Sequence, residues 1–123
     1  MYQRILVGTD GSPTAATAVD RAVEVAVATG AELTILCVGD GERARSVVDA
    51  EAVRHADSGA QIGTRTGTGD PASVLIDVAA DEGYDLLVVG NKGMTGASRF
   101  FLGSVPNKVS HHASVSLLIV RTT

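Results

Sequence analysis

Apolar and polar positions along this chain fall into short continuous apolar runs separated by stretches of three-and-four periodicity. Five runs read as strands: Arg4 to Thr9 (RILVGT), Leu33 to Val38 (LTILCV), Ala60 to Thr66, Leu86 to Val89 and Leu117 to Val120. Four are nearly unbroken in apolar character, the pattern of strands covered on both faces. The exception, Ala-Gln-Ile-Gly-Thr-Arg-Thr, alternates and fits an exposed sheet edge. Helical patterns fill the intervals. Ser12-Pro13 supplies an N-cap and a first-turn residue; Ala15, Ala18, Val19, Ala22, Val23 and Ala26 then share a face, and Gly30 ends the helix. A second helix is expected from about Glu42 to Asp57, with Ala44, Val47, Val48, Ala52 and Val53 on one side and Gly59 as its close. Asp70-Pro71 starts a third, with Ala72, Leu75, Ile76 and Ala79 inward and Gly83 as its stop. The last runs from Ser104 to about His112, with Val105 and Val109 inward. Pro106 falls in its first turn, where a missing N–H costs nothing.

This β-α alternation predicts an α/β fold, an open doubly wound five-stranded parallel sheet with helices on both faces. No repeat, linker or low-complexity tract interrupts it, so residues 1–123 are expected to form a single domain. The fifth run, Leu117-Leu118-Ile119-Val120, is apolar on both faces and would invite aggregation if left bare at an edge. It is expected to be central or paired with another subunit, and a homodimer through residues 117–120 is the prediction.

Composition narrows the class. Apolar residues make up 45 % of the chain, so a packed core is expected and disorder is not. The absence of a long apolar run and of a signal-like start predicts no membrane association and a cytoplasmic protein. The one cysteine, Cys37, lies inside a strand run, which excludes an internal disulfide and suits a buried, inert thiol. Two Tyr, two Phe and no Trp offer too few stacking platforms for a single-strand nucleic-acid binder, and the net charge of −4 agrees.

Charge is unevenly spread. Residues 1–85 hold all fourteen Asp and Glu against six Arg, a balance of −8; residues 86–123 hold Lys92, Arg99, Lys108 and Arg121 and no carboxylate. The acid-free segment contains Gly90 to Val105, GNKGMTGASRFFLGSV, directly after the fourth strand. A strand, a glycine-rich loop and a helix start are together suited to an anion: glycines let the backbone approach closely, and first-turn N–H groups point at the charge. Sparing acids there suits a polyanion such as a nucleotide phosphate; short loops and buried strands needing few acids is the plainer alternative.

Other motifs carry less. Thr9-Asp10-Gly11 ends the first strand, where an Asp accepts from a ribose or base, helps place a metal, or simply makes an Asx-turn. Gly67-Thr68-Gly69-Asp70-Pro71-Ala72 matches a degenerate G-x-G-x-x-A, but Asp70 and Pro71 are better explained as cap and first-turn residues. The Gly90 loop lacks the Gly-Lys-Ser/Thr of a Walker A sequence. Lys92 suits a phosphate contact or plain solvation, and Ser104 suits phosphate binding, capping, or both. His111 and His112 sit at a helix end without a further ligand nearby, which disfavours a metal site, and His55 carries no signal. No nucleophile elbow or paired-carboxylate signature is present, so catalysis is not expected. A phosphorylatable receiver domain fits the length, but only Asp10 follows the first strand and Arg121, not a lysine, ends the fifth.

The G-x2-G-x9-G-[ST] pattern of Gly90, Gly93, Gly103 and Ser104, with RILVGTDGS at the start and GSVPNKVSHHASVSLLIVRT at the close, resembles the universal stress protein family in its nucleotide-binding branch. The resemblance implies sheet order 3-2-1-4-5, dimerisation through the fifth strand, and ATP at the carboxyl ends of strands one and four. It places Gly90, Gly93, Gly103 and Ser104 at ribose and phosphates, with Val105 and Pro106 continuing that contact and Lys92 in the loop. Gly8, Thr9 and Asp10 match the base and ribose segment, and Val38 the apolar residue beside the adenine. It leaves Mg2+ with the phosphates open and admits cyclic AMP as an alternative ligand. Family members are usually longer, and the shortfall falls just after Val38, where relatives commonly fold chain over the nucleotide. The expected function is that of a small regulatory or sensor module in stress response, with slow ATP hydrolysis left open; the alternative is a dimeric interaction protein that holds no nucleotide.

Overall fold

The computed structural model describes residues 1–91 and 104–122. Strands and helices alternate in the order β1 (Arg4–Gly8), α1 (Pro13–Thr29), β2 (Glu32–Val38), α2 (Gly41–Arg54), β3 (Gln61–Gly67), α3 (Pro71–Asp81), β4 (Leu86–Gly90), α4 (Ser104–His112) and β5 (Ser116–Val120). The local signals act as expected at several boundaries. Ser12 accepts the Ala15 N–H in front of Pro13, and Gly30, at φ 73°, returns its N–H to Ala26. Asp70 accepts the Ser73 N–H in front of Pro71. Each arrangement satisfies backbone groups that a helix end leaves open.

All strands are parallel, in the order β3-β2-β1-β4-β5. Alternate residues of each strand feed two separate cores, as strand geometry dictates. Ile5, Val7, Leu33, Ile35, Cys37, Leu86 and Val88 pack with α1 and α2. Leu6, Leu36, Leu87 and Val89 pack with α3, Val105 and Val109. The entry to the sheet is fastened by Asp85, whose carboxylate accepts the Gln3 and Arg4 N–H groups at 2.9 and 3.1 Å. Burial works against its charge, but those donors prevail and its pKa is lowered.

Three sequence expectations need correction. The second helix ends at Arg54 rather than Asp57, because the chain tightens into turns in which Ala56 and Ser58 donate to Val53 and His55 carbonyls. Val53 is 77 % exposed rather than inward. It lies five residues after Val48, well off the buried stripe, whereas His55, seven residues after, falls back on it. In α3 the fourth inward residue is Val78, with Ile76 only half-buried at the rim of the stripe. β5 forms the sheet edge opposite β3, as the order 3-2-1-4-5 implied.

This packing has a direct consequence for stability. Leu87→Ala, at a fully buried position, is expected to cost about 3 kcal/mol. Val53→Ala should stay within about 0.5 kcal/mol of the parent. Urea titration checks both, and equal effects would contradict the burial described.

Candidate functional site

β1 lies between β2 and β4, so the chain leaves its carboxyl end towards one flank while the later half of the fold occupies the other. Ligand crevices in open α/β sheets form at that reversal. Pairing of Val7 with Val88 sets the segment after β1 beside the segment after β4, which brings Gly8, Thr9 and Asp10 next to Gly90. The neighbouring strand ends are equally fixed: Gly8 pairs with Leu36, Val38 with Gly67, and Gly90 with Val120.

The turn after β1 is held by its own side chains. Thr9 is fully buried, its N–H donates to the Leu36 carbonyl at 3.0 Å, and its hydroxyl accepts the Gly11 N–H at 3.1 Å. Asp10 is half-buried, and its Oδ1 accepts the Ser12 N–H at 2.8 Å. Asp10 thus makes the Asx-turn, and its other oxygen makes no hydrogen bond among the described residues. Gly11 has φ 83°, and a Cβ there would stand 2.9 Å from the Val47 side chain. Only glycine therefore lets α2 approach this turn without a shift.

Val38 is half-buried and packs towards the α3 core. The Gly39 N–H donates to the Gly67 carbonyl at 2.9 Å, and α2 starts at Gly41, so only Gly39 and Asp40 join β2 to α2. Gly90 is buried. Asn91 then anchors the exit from β4: its N–H donates to the Val120 carbonyl at 2.8 Å, and its Oδ1 accepts both the N–H and the hydroxyl of Thr122 at 2.9 Å. Ser104 is exposed at the first position of α4, with Val105 and Pro106 buried behind it. Lys92, Gly93 and Gly103 lie outside the described residues.

Two features, Arg43 and Lys108, were missed in the sequence, while the burial of Cys37 was expected from it. Arg43, exposed in the first turn of α2, donates from Nη2 to the Asp10 carbonyl at 3.1 Å. The brevity of the β2–α2 connection was the clue that this turn reaches the strand ends. Cys37 lies buried beneath them; burial raises its pKa, Arg43 opposes that effect and Asp10 adds to it. Lys108 joins the α3 cap to α4 by reaching Asp70 Oδ2 at 2.9 Å and Ser73 Oγ at 3.0 Å. The Lys108 ammonium, then the Ser73 N–H and hydroxyl, lower the Asp70 pKa from 3.8 to about 2. Away from the strand ends, Arg54 Nη1 pairs with Asp20 Oδ1 at 2.6 Å and ties α2 to α1, with His55 Nε2 3.0 Å from the same oxygen without a hydrogen bond. Among the described residues no group of three or more His, Cys, Asp or Glu is placed to hold a metal, and no helix is long and apolar enough to cross a membrane.

Fold and strand-end geometry define an open doubly wound α/β domain whose winding reverses between β1 and β4. The chain belongs to the universal stress protein family, whose sequence model matches residues 1–56 and 39–121. It is 33 % identical to universal stress protein Rv1636 of Mycobacterium tuberculosis across 99 % of this chain and 98 % of that one. Universal stress protein YxiE of Bacillus subtilis is 32 % identical across 98 % of this chain and 100 % of its own. Among solved structures, a universal stress protein in complex with cAMP superposes with a TM-score of 0.87 at 36 % identity, covering 99 % of this chain and 98 % of that one. The crystal structure of Rv1636 gives 0.70 at 39 % identity, covering 99 % and 97 %. The alignment with Rv1636 runs over 146 positions against 123 residues here, so that relative carries segments this chain lacks. The two matched pieces overlap at 39–56, the stretch that begins directly after Val38.

The Asp70–Lys108 pair makes stability depend on pH in a defined sense. A carboxyl with a lowered folded pKa favours folding above its unfolded value, near 3.8, and that contribution disappears as pH falls towards about 2. The stability gap between the parent and Asp70→Asn should therefore shrink between pH 5 and pH 2. Both groups are largely exposed, so added salt should narrow it further. Urea unfolding at stepped pH reads this; a gap independent of pH would contradict the pairing.

Proposed function

We propose that this protein binds an adenine nucleotide at the carboxyl edge of its sheet and acts as a regulatory or sensor module in stress response, without catalysing a reaction of its own. The observation that carries the reading is the β1–β4 pairing, which sets Asp10, one of whose oxygens has no hydrogen bond among the described residues, beside the exit of β4, the strand that precedes the exposed Ser104 end of α4. The phosphates lie at the first turn of α4, where Ser104 adds a hydroxyl to backbone donors. The ribose faces Asp10, and the adenine lies towards Val38. Gly8, Thr9 and Gly90 shape the floor, and Lys92, Gly93 and Gly103 belong to the loop that completes the phosphate end.

ATP is the ligand this reading favours, and any Mg2+ would accompany its phosphates. A relative of 36 % identity solved with cAMP supports adenine recognition and makes the cyclic nucleotide the second reading. Titration calorimetry with ATP and cAMP separates them. The expectation is one nucleotide bound per chain, with Ser104→Ala weakening it about tenfold through loss of a charge-assisted hydrogen bond. No heat up to millimolar concentration of either would instead favour a dimeric interaction protein.

A homodimer through β5 is part of the proposal. Leu117, Leu118 and Ile119 are only half-buried on that edge strand, and a second copy would cover them. Sedimentation equilibrium should report a dimer at micromolar concentration; monomer alone would contradict this part.

A further inference from the structure

We propose that Arg43 is the specificity-determining residue at the base end of the site, its planar guanidinium stacking on the purine where only Gly39-Asp40 joins β2 to α2. The inference rests on the adenine reading above and extends it to a residue that reading does not use.

Arg43 stands apart by its lack of an acidic partner. Arg4, Arg21, Arg45, Arg54, Arg65 and Lys108 each pair with a carboxylate. Arg43 makes no such pair among the described residues, and its recorded contact is with a backbone carbonyl, that of Asp10. A guanidinium carries five N–H donors in its plane and no acceptor. Holding it by one rim N–H fixes its position, and no aromatic ring among the described residues stacks on its plane. The anchor is firm, because Ala44, the next residue, is buried and Val47 packs against Gly11 of the same turn.

Position and charge decide what the guanidinium faces meet. Arg43 belongs to the α2 layer and Val38 packs towards the α3 layer, so together they bracket the ends of β1 and β2. A flat group entering between them meets an apolar wall on one side and a planar cation on the other. Asp10, Asp40 and Glu42 lie at the same strand ends, three acids against one arginine. A second phosphate at the base end would face that surplus of negative charge, whereas a neutral aromatic ring would not. Guanidinium faces attract aromatic rings, and a lysine ammonium lacks the plane that makes the stack.

The test compares the parent, Arg43→Ala and Arg43→Lys, using ATP in calorimetry and inorganic tripolyphosphate as a competitor. Stacking predicts that ATP affinity falls about tenfold in both variants, with tripolyphosphate competition unchanged. Recovery of ATP affinity in Arg43→Lys would overturn the inference, as would an equal loss for tripolyphosphate, since both would make Arg43 a simple charge. Unchanged ATP affinity in both variants would also overturn it while leaving the adenine reading intact. Failure of the parent to bind ATP would remove both.

Discussion

The pairing of β1 with β4, Ile5 against Leu86 through Val7 against Val88, is the contact on which the rest of the structure depends. It joins the two halves of the chain into one sheet and reverses the winding at that seam. It also sets the Thr9-Asp10 turn beside the exit of β4. The pairing is backed by a fully buried layer on each side, Ile5, Val7 and Val88 beneath α1 and Leu6 and Leu87 beneath α3 and α4. Strand ends fixed this way cannot drift without breaking the sheet.

The loops at the carboxyl edge are tied down for local reasons as well. Thr9 and Asp10 spend side-chain acceptors on their own turn, Gly11 lets α2 close in, and Asn91 binds the exit of β4 to the strand beside it. Lys108 spans the starts of α3 and α4 on the far side. These contacts hold the strand ends at the carboxyl edge in fixed positions. Only Gly39 and Asp40 follow Val38 before α2, and Arg43 is the one described cation there without a carboxylate partner.

Much of the fold was legible in the sequence because the strands are continuous apolar runs and the helix starts carry explicit caps, as at Ser12-Pro13 and Asp70-Pro71. Periodicity failed where a helix was ending. Val53 looked like one more core valine, but the last turn of α2 carries it to solvent and gives the inward place to His55, whose neighbour Asp20 is on another helix. A polar residue on a buried stripe is meaningful only when its neighbour is known, and that neighbour is distant in sequence. The same limit hid Arg43 and Asn91, whose roles arise from a backbone carbonyl and a neighbouring strand rather than from a motif. Asp10, Gly90 and Ser104 were legible as a candidate set because each stands at a strand end or a helix start, and the family resemblance supplied both the strand order and the ligand class they suit.

The most direct measurement is a crystal structure of the protein grown with saturating ATP. The account predicts the phosphates at the first turn of α4 beside Ser104, the ribose at Asp10, and the purine between Val38 and the Arg43 guanidinium. Nucleotide bound at another surface, or none beside the ends of β1 and β4 under saturation, would contradict it.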